Sequence, residues 1–314
     1  MTPGILEKDV WVCWVLDSLF TIDDEVEMAF KGGTSLSKAY NAIARFSEDI
    51  DVTIASASLN PGIDPFDPDL GGKARRRMSD DMNARMVAYV VEVVEPHFRQ
   101  KLSQQFPGGG WDLDISGQGE VLNLTYPTVT SNVVGDEPGY IREFIKIEFG
   151  GRMATSPVEE FKIVPYISVI SEELYLPVAN VQVLSGQRTF WEKATLVHAE
   201  CNRTNMRMSS ERMSRHWYDL YKLADSSIGH LALADRDLLV DVVRYKKIFY
   251  NSASADYDAC LNGRLILVPT GDNLGAIKND YEMMVSHSMI YADPPLFDEI
   301  ITRLTLLELQ INSA

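Results

Sequence analysis

The chain has 314 residues, 46% hydrophobic and 24% charged, a composition that suits a soluble globular protein with room for two medium domains. Its net charge of −16 argues against a protein that grips nucleic acid over its whole surface, because that grip rests on Lys and Arg neutralising phosphates. No apolar run reaches the roughly 18 residues of a membrane helix, the opening "MTPGILEKDV" lacks the basic-then-apolar order of a signal peptide, and Cys13, Cys201 and Cys260 show no CxxC spacing, so a reducing cytoplasm is expected.

Leu6, Val10, Trp14, Leu16 and Phe20 recur near helical spacing and predict an amphipathic helix over roughly 5–20. "EVEMAF" reads as a strand ended by Gly32 and Gly33, "SLSKAYNAIARF" as a helix, and the alternating, β-branched "DIDVTI" as a strand. The proline- and glycine-rich "SASLNPGIDPFDPDLGG" is a loop. Residues 73–105 read as one long helix or two, broken by "PGGGW". "VLNLTYPTV" and "YIREFIKIEFG" read as strands, and so, less clearly, do "FKIVPYISVI" and "NVQVLS". From about Gln187 the pattern is helical: "TFWEKATLVHAECNR", "SRHWYDLYKLAD", "DRDLLVDVVRYKKIFY", "NDYEMMVSHSMIY" and "FDEIITRLTLLELQI". The expected organisation is a mixed α/β part over 1–185 and a helical part over 186–314.

The stretch "KGGTSLSKAYNAIARFSEDIDVTI" (31–54) places a glycine turn and paired carboxylates at the two ends of one short helix. Asp49 and Asp51, two apart on a strand, point to the same face. Their mutual repulsion is relieved by a hard divalent cation such as Mg²⁺, which takes one or two carboxylates and completes its shell with substrate phosphates. Gly32 and Gly33 permit close backbone approach, and Thr34 and Ser35 offer hydroxyls where a helix N-terminus favours anions. Glu148, with Lys146 on the same strand face, is a third carboxylate for a two-metal site that would activate an attacking oxygen and stabilise a leaving pyrophosphate. Separately, a glycine pair is an ordinary turn and "DID" an ordinary solvated strand end; their joint order carries the functional reading. The stretch is not a P-loop, for it lacks GxxxxGK[ST].

These residues resemble the DNA polymerase beta-like nucleotidyltransferases. The fuller run "FKGGTSLSKAY…RFSEDIDV", "EKD" at 7–9 and "FWEKATLVHAE…SRHWYDLYKLA" at 190–224 resemble the AbiEii/AbiGii toxin family of type IV toxin–antitoxin and phage-defence systems. The resemblance implies an α+β fold, a polymerase beta-like core of mixed sheet and flanking helices followed by a C-terminal helical domain. It implies nucleotide-binding roles for Gly32, Gly33, Thr34, Ser35, Lys38 and Ser47. It implies metal binding by Asp49, Asp51 and Glu148, where the superfamily more often has Asp in the third place, and catalytic roles for Asp49, Asp51, Lys193 and Asp219. The expected cofactor is Mg²⁺, with Mn²⁺ as an alternative, and the substrate an NTP. The implied activity is addition of nucleotides to an RNA acceptor, the tRNA 3′ end, which stops translation; a cognate antitoxin from the same operon is the expected partner.

Seven cations stand between Arg188 and Lys222 against four acids, a locally basic segment in an acidic chain; "KARRR" at 73–77 is a second basic spot. Arg203, Arg207, Arg212 and Arg215 are the candidates for RNA phosphates, and solvated helix faces are the plain alternative. Lys193 is a phosphate-balancing charge or a surface lysine, and Arg215 and Asp219 are also spaced to pair along one helix face. Trp217 and Tyr218 suit base stacking or core packing, and His198 and His216 suit base catalysis or a structural role. Two rival functions keep the same fold: nucleotidyl transfer to a protein side chain, and a non-catalytic nucleotide- or partner-binding defence module. Beyond about residue 225 no motif is recognised.

Overall fold

A computed structural model describes residues 2–60, 62, 64–130, 144–170, 175–204, 212–252 and 254–313. The chain divides into two compact units, 1–39 with 47–184 and 40–46 with 185–314.

The first unit holds helix α1 (Pro3–Phe20), strand β1 (Met28–Lys31), α2 (Gly32–Lys38), β2 (Ile50–Ile54), α3 (Ser56–Leu59), α4 (Gly72–Tyr89), α5 (Glu95–Gln105), β3 (Asp112–Ser116), β4 (Val121–Thr125), β5 (Phe144–Gly150), β6 (Val158–Ile163) and β7 (Ala179–Leu184). A π-helical turn (Val90–Val94) joins α4 to α5 just ahead of Pro96, which has no N–H to give the helix ladder. The strands form one seven-stranded sheet in the order β3-β4-β5-β2-β1-β7-β6. β1 is antiparallel to β2 and parallel to β7, and β2 is parallel to β5.

Hydrophobic alternation fixes the facing of the central strands. Ile50 and Val52 of β2 lie beside Ile147 and Phe149 of β5, all buried, while Asp51 lies beside Glu148 on the other, wetter face. A one-residue slip would drive the acids into the core and expose four large apolar side chains, so the register is strongly specified.

Several sequence expectations change here, among them the loop expected from "SASLNPG" onward, whose start forms the helix α3. Helix α1 forms but is not amphipathic: Ile5, Trp11, Val12, Cys13, Trp14, Val15, Leu16 and Leu19 are all buried, covering every side of the helix. The helix expected over 35–46 ends at Lys38, and Asn41 takes a left-handed φ of 48°, a conformation Asn tolerates, which turns the chain away. The "FKIVPYISVI" strand stops at Ile163 before Pro165 and becomes a short 3-10 turn, while β3 was not anticipated although Asp112–Ser116 alternates polar and apolar residues. Of the "YIREFIKIEFG" strand, 140–143 lie outside the described residues.

The second unit holds α6 (Gly186–Cys201), α7 (Ser214–Ala224), α8 (Ser227–Ala234), α9 (Arg236–Phe249), α10 (Asp272–Ser286) and α11 (Phe297–Asn312). α6 starts where the Ser185 hydroxyl caps the Arg188 N–H at 3.2 Å. α6 packs on α7, α8 and α9, and α7 packs on α10 and α11. The segment 40–46 belongs to this unit: Arg45 bridges Ile290 in antiparallel fashion, and the N–H of Phe46 donates to the Met289 carbonyl at 2.7 Å. α8, Ser227–Ala234, was not anticipated from the sequence.

Candidate active site

In the first unit, the glycine turn and the carboxylate strand interlock. Gly32 has φ +83°, and the Asp51 carboxylate occupies the space a side chain would need: a Cβ on Gly32 would stand 2.0 Å from Asp51 Oδ2. Only glycine meets both demands. Thr34, wholly buried, donates its hydroxyl to the Asp49 carbonyl and lies 2.9 Å from the Ser47 hydroxyl. Ser35, also wholly buried, donates to the Gly32 carbonyl at 2.9 Å. These two hydroxyls, expected to face phosphate, point inward: Thr34 fastens the turn to the segment entering the strand, and Ser35 closes the turn on itself.

Lys38 is likewise engaged. Its ammonium is 2.6 Å from Asp9 Oδ1 and 2.9 Å from the Val164 carbonyl, and it lies 3.8 Å above the Tyr166 ring. Burial raises the Asp9 carboxyl above its ordinary range, and Lys38 and the Tyr166 N–H act against that shift. Lys8 forms a second buried pair with Glu48 at 2.6 Å, and Glu7 accepts from the Thr128 hydroxyl and the Val129 N–H. All three members of "EKD" thus tie α1 to its own unit: Glu7 to the stretch after β4, Lys8 to the residue before Asp49, Asp9 to α2. Charges 7–9 in an otherwise apolar helix were a readable sign of buried pairing, since unpaired burial of charge is costly.

Asp49 and Asp51 are half-buried and alternate with buried Glu48, Ile50 and Val52, so they share one side of the strand. Glu148 neighbours Asp51 across the sheet but is ion-paired with Lys146. Among the described residues no three His, Cys, Asp or Glu are grouped closely enough to hold a metal ion, so the expected three-carboxylate cluster is not assembled around Glu148. The Asp49–Asp51 pair keeps an all-oxygen donor set that suits a hard cation taking one or two carboxylates.

In the second unit, Lys193 and Asp219 meet, with Lys193 Nζ 2.8 Å from Asp219 Oδ2. Arg45, which opens the "RFSEDIDV" run but was given no role of its own from the sequence, completes the cluster: its Nε lies 2.7 Å from Asp219 Oδ1 and its Nη2 2.8 Å from Oδ2. Both carboxylate oxygens of Asp219 are thus met by residues distant in the chain. Burial would raise Asp219, but Arg45 and Lys193 overcome it and hold the carboxyl well below the ordinary range. Burial lowers Lys193, with Asp219 opposing and Arg45 adding to the shift. His216 Nδ1 lies 3.4 Å from Lys193 Nζ, and burial followed by Lys193 and Arg215 lowers it well below the ordinary imidazole value, so it is neutral.

The remaining candidates sort clearly. Trp217 and Tyr218 are each 1% exposed, and the Trp217 indole donates to the Leu267 carbonyl, so both are core residues rather than a stacking platform. His198 is fully buried between the Asp256 carbonyl and the Ile266 N–H, a structural setting. Arg203 pairs with Glu200 at 2.8 Å, Arg212 and Arg215 are half-buried, and Arg207 lies outside the described residues. No helix among the described residues is long and apolar enough to cross a membrane.

The fold is similar to that of MenT4, a nucleotidyltransferase toxin from Mycobacterium tuberculosis, with a TM-score of 0.50 and 17% identity over 99% of this chain and 84% of that one. None of the curated proteins matches the sequence. The family model described as "Nucleotidyl transferase AbiEii toxin, Type IV TA system" matches residues 14–303. The match begins after the "EKD" triplet and runs through α8, α9 and α10 into the first half of α11, where the sequence reading had found no motif. With the glycine turn, the aspartate strand and the Lys193–Asp219 pair all inside the matched span, the chain belongs to the AbiEii family of nucleotidyltransferase toxins of type IV toxin–antitoxin systems.

Proposed function

We propose that this nucleotidyltransferase adds nucleotides from an NTP to an RNA acceptor, the 3′ end of tRNA, and so arrests translation in the cytoplasm until the antitoxin of its own operon intervenes. The observation that carries the reading is the Gly32–Asp51 contact. A carboxylate seated on the bare backbone of a glycine turn, with a second carboxylate two residues away on the same side, is an arrangement with little purpose in packing. It suits a polyphosphate laid along the turn beside a cation.

In this reading an acceptor hydroxyl attacks the α-phosphorus, a new P–O bond forms, the bond to the β-phosphate breaks and pyrophosphate leaves. Asp49 and Asp51 would hold Mg²⁺ or Mn²⁺, which supplies charge neutralisation on the triphosphate when bound; Glu148, beside Asp51 in the sheet, is the remaining candidate ligand. Gly32 and Gly33 give the phosphates room. Thr34 and Ser35 keep the turn in shape, and Ser47 and Lys38 fix its two ends. Lys193 supplies a compact positive charge, and Asp219 holds its ammonium in place. Arg203, Arg207, Arg212 and Arg215 are proposed to meet RNA phosphates.

The test is incubation with each labelled NTP, Mg²⁺ and total cell RNA. Label at tRNA 3′ ends, absent with Asp49→Ala, supports the reading. Label confined to protein moves the assignment to a side-chain modifier, and NTP binding with no transfer moves it to a binding module. Neutralising Arg203, Arg207 and Arg212 together should cut RNA labelling and flatten a salt slope of about 0.7–0.9 per phosphate contacted.

A further inference from the structure

Arg45 is 3% exposed and spends every nitrogen of its guanidinium on fixed partners. Nε and Nη2 form a fork on Asp219, and Nη1 donates to the Phe46 carbonyl at 3.2 Å. Its backbone is held as firmly. The Arg45 carbonyl accepts from the Tyr291 hydroxyl at 2.5 Å, and the Tyr291 N–H donates to the Ala44 carbonyl at 3.0 Å. A planar fork anchored in this way sets the carboxylate plane of Asp219. Asp219 in turn holds the Lys193 ammonium, whose next contact is the neutral His216.

The charge count is unusual for a purely structural cluster. One carboxylate suffices to neutralise one buried lysine. Here, among the described residues, the one carboxylate of Asp219 is shared by two cations, Arg45 and Lys193. A buried excess of positive charge is costly to a fold, and a phosphate-bearing ligand relieves it.

We infer that Arg45 is a positioning residue that engages the Asp219 carboxylate, so that Lys193 is oriented by Asp219 without being neutralised by it and keeps a net positive charge for a triphosphate. This rests on the nucleotidyltransferase reading above and deepens it. Arg45 touches no substrate itself; it acts through Asp219.

The experiment measures binding of inorganic tripolyphosphate and of ATP to the full chain by calorimetry, with a thermal melt of each variant to confirm folding. Arg45→Gln leaves Asp219 to cancel Lys193 and should weaken tripolyphosphate by about tenfold or more, a loss expected for one uncompensated charge near a partly buried anion. In transfer assays the loss should fall on KM for the NTP more than on kcat. The double change Arg45→Gln with Asp219→Asn removes one charge of each sign and should recover much of the tripolyphosphate affinity. Arg45→Lys keeps the charge but not the two-pronged fork on Asp219, and should weaken tripolyphosphate less than Arg45→Gln does, without reaching wild type. If Arg45→Gln does not fold, Arg45→Lys decides, and tripolyphosphate binding equal to wild type there overturns the inference. Equal binding by Arg45→Gln and wild type, or a double variant no better than the single one, also overturns it and reduces Arg45 to a structural clamp. Wild-type protein that binds neither tripolyphosphate nor ATP would sink the nucleotidyltransferase reading itself, and robust binding without RNA labelling would sink the acceptor assignment while leaving Arg45 as inferred.

Discussion

Gly32 shows how a single residue can be decided by its neighbour's chemistry rather than by its own turn. A methyl group there would meet Asp51 Oδ2 at 2.0 Å and would also sit at φ +83°. The left-handed conformation costs a non-glycine residue about 1–2 kcal/mol, and the carboxylate end of Asp51 can swing aside, so Gly32→Ala should fold. Its transfer activity should nonetheless fall by about a hundredfold, since a displacement of about 1 Å at a reacting centre has that scale of effect. A transfer assay beside a denaturant melt checks both halves, and full activity would detach Asp51 from the glycine turn functionally. The pairing of turn and aspartates was legible in the sequence because spacing on a strand decides facing. The inward turn of Thr34 and Ser35 was not, because a hydroxyl at a helix start serves phosphate or its own backbone equally well, and only the return of the Asp49 carbonyl settles which. The role of Arg45, within the quoted "RFSEDIDV" run, was hidden because its partner is 174 positions away in the chain.

At the scale of elements, α1 is held to the rest of the first unit by charges as well as by its apolar faces. Lys8 and Glu48 are 0% and 5% exposed and 2.6 Å apart. Glu48 immediately precedes Asp49, so this pair fixes the entry to the carboxylate strand from the helix side. Lys8→Met leaves Glu48 buried without its lysine and should destabilise the protein by about 3–5 kcal/mol, the usual penalty for breaking one side of a buried pair. Adding Glu48→Gln to Lys8→Met should return a large part of that loss, because no buried charge is then left uncompensated. Urea unfolding of the two variants and wild type tests this, and a Lys8→Met protein as stable as wild type would show the pair to be dispensable. Sequence patterning found α1 but misjudged its surroundings, since helical spacing of large residues looks the same on a one-sided helix and on one enclosed all round. In the second unit the long helices were legible and the eight-residue α8 was not, because so short a segment shows little periodicity. The short α2 was overextended, as nothing in "SKAYNAIARF" forbids helix and the bridge from Arg45 to Ile290 is a tertiary effect.

For the whole molecule, histidine sets the response to mild acid. Burial lowers His97 and His198, and it lowers His216 further, where Lys193 and Arg215 act with it. An imidazole with a depressed value stays neutral in the folded chain while the unfolded chain takes up a proton near pH 6.5. The unfolded state then binds more protons, so stability is fully present above about pH 6.5 and declines as the pH falls below it. The carboxylates act elsewhere: Asp219, held low, loses its contribution only in stronger acid, and Asp9, held high by burial, shifts stability in the opposite sense near the carboxylate range. One effect opposes the histidines within the window. Protonation relieves part of the net charge of −16, which stabilises a compact acidic chain. At 0.15 M salt, with screening over about 8 Å, that diffuse repulsion is the weaker influence. The melting temperature should therefore fall between pH 7.5 and 5.5, and more steeply at 0.15 M salt than at 0.01 M. Because His198 and His216 both belong to the second unit, a melt that resolves two transitions should show that unit moving most. His216→Gln should flatten the dependence by about one proton's worth of slope. A melting temperature that holds level or rises on acidification would mean that His216 and His198 carry their protons in the folded protein, and that the positive excess around Lys193 is larger than one neutral imidazole allows.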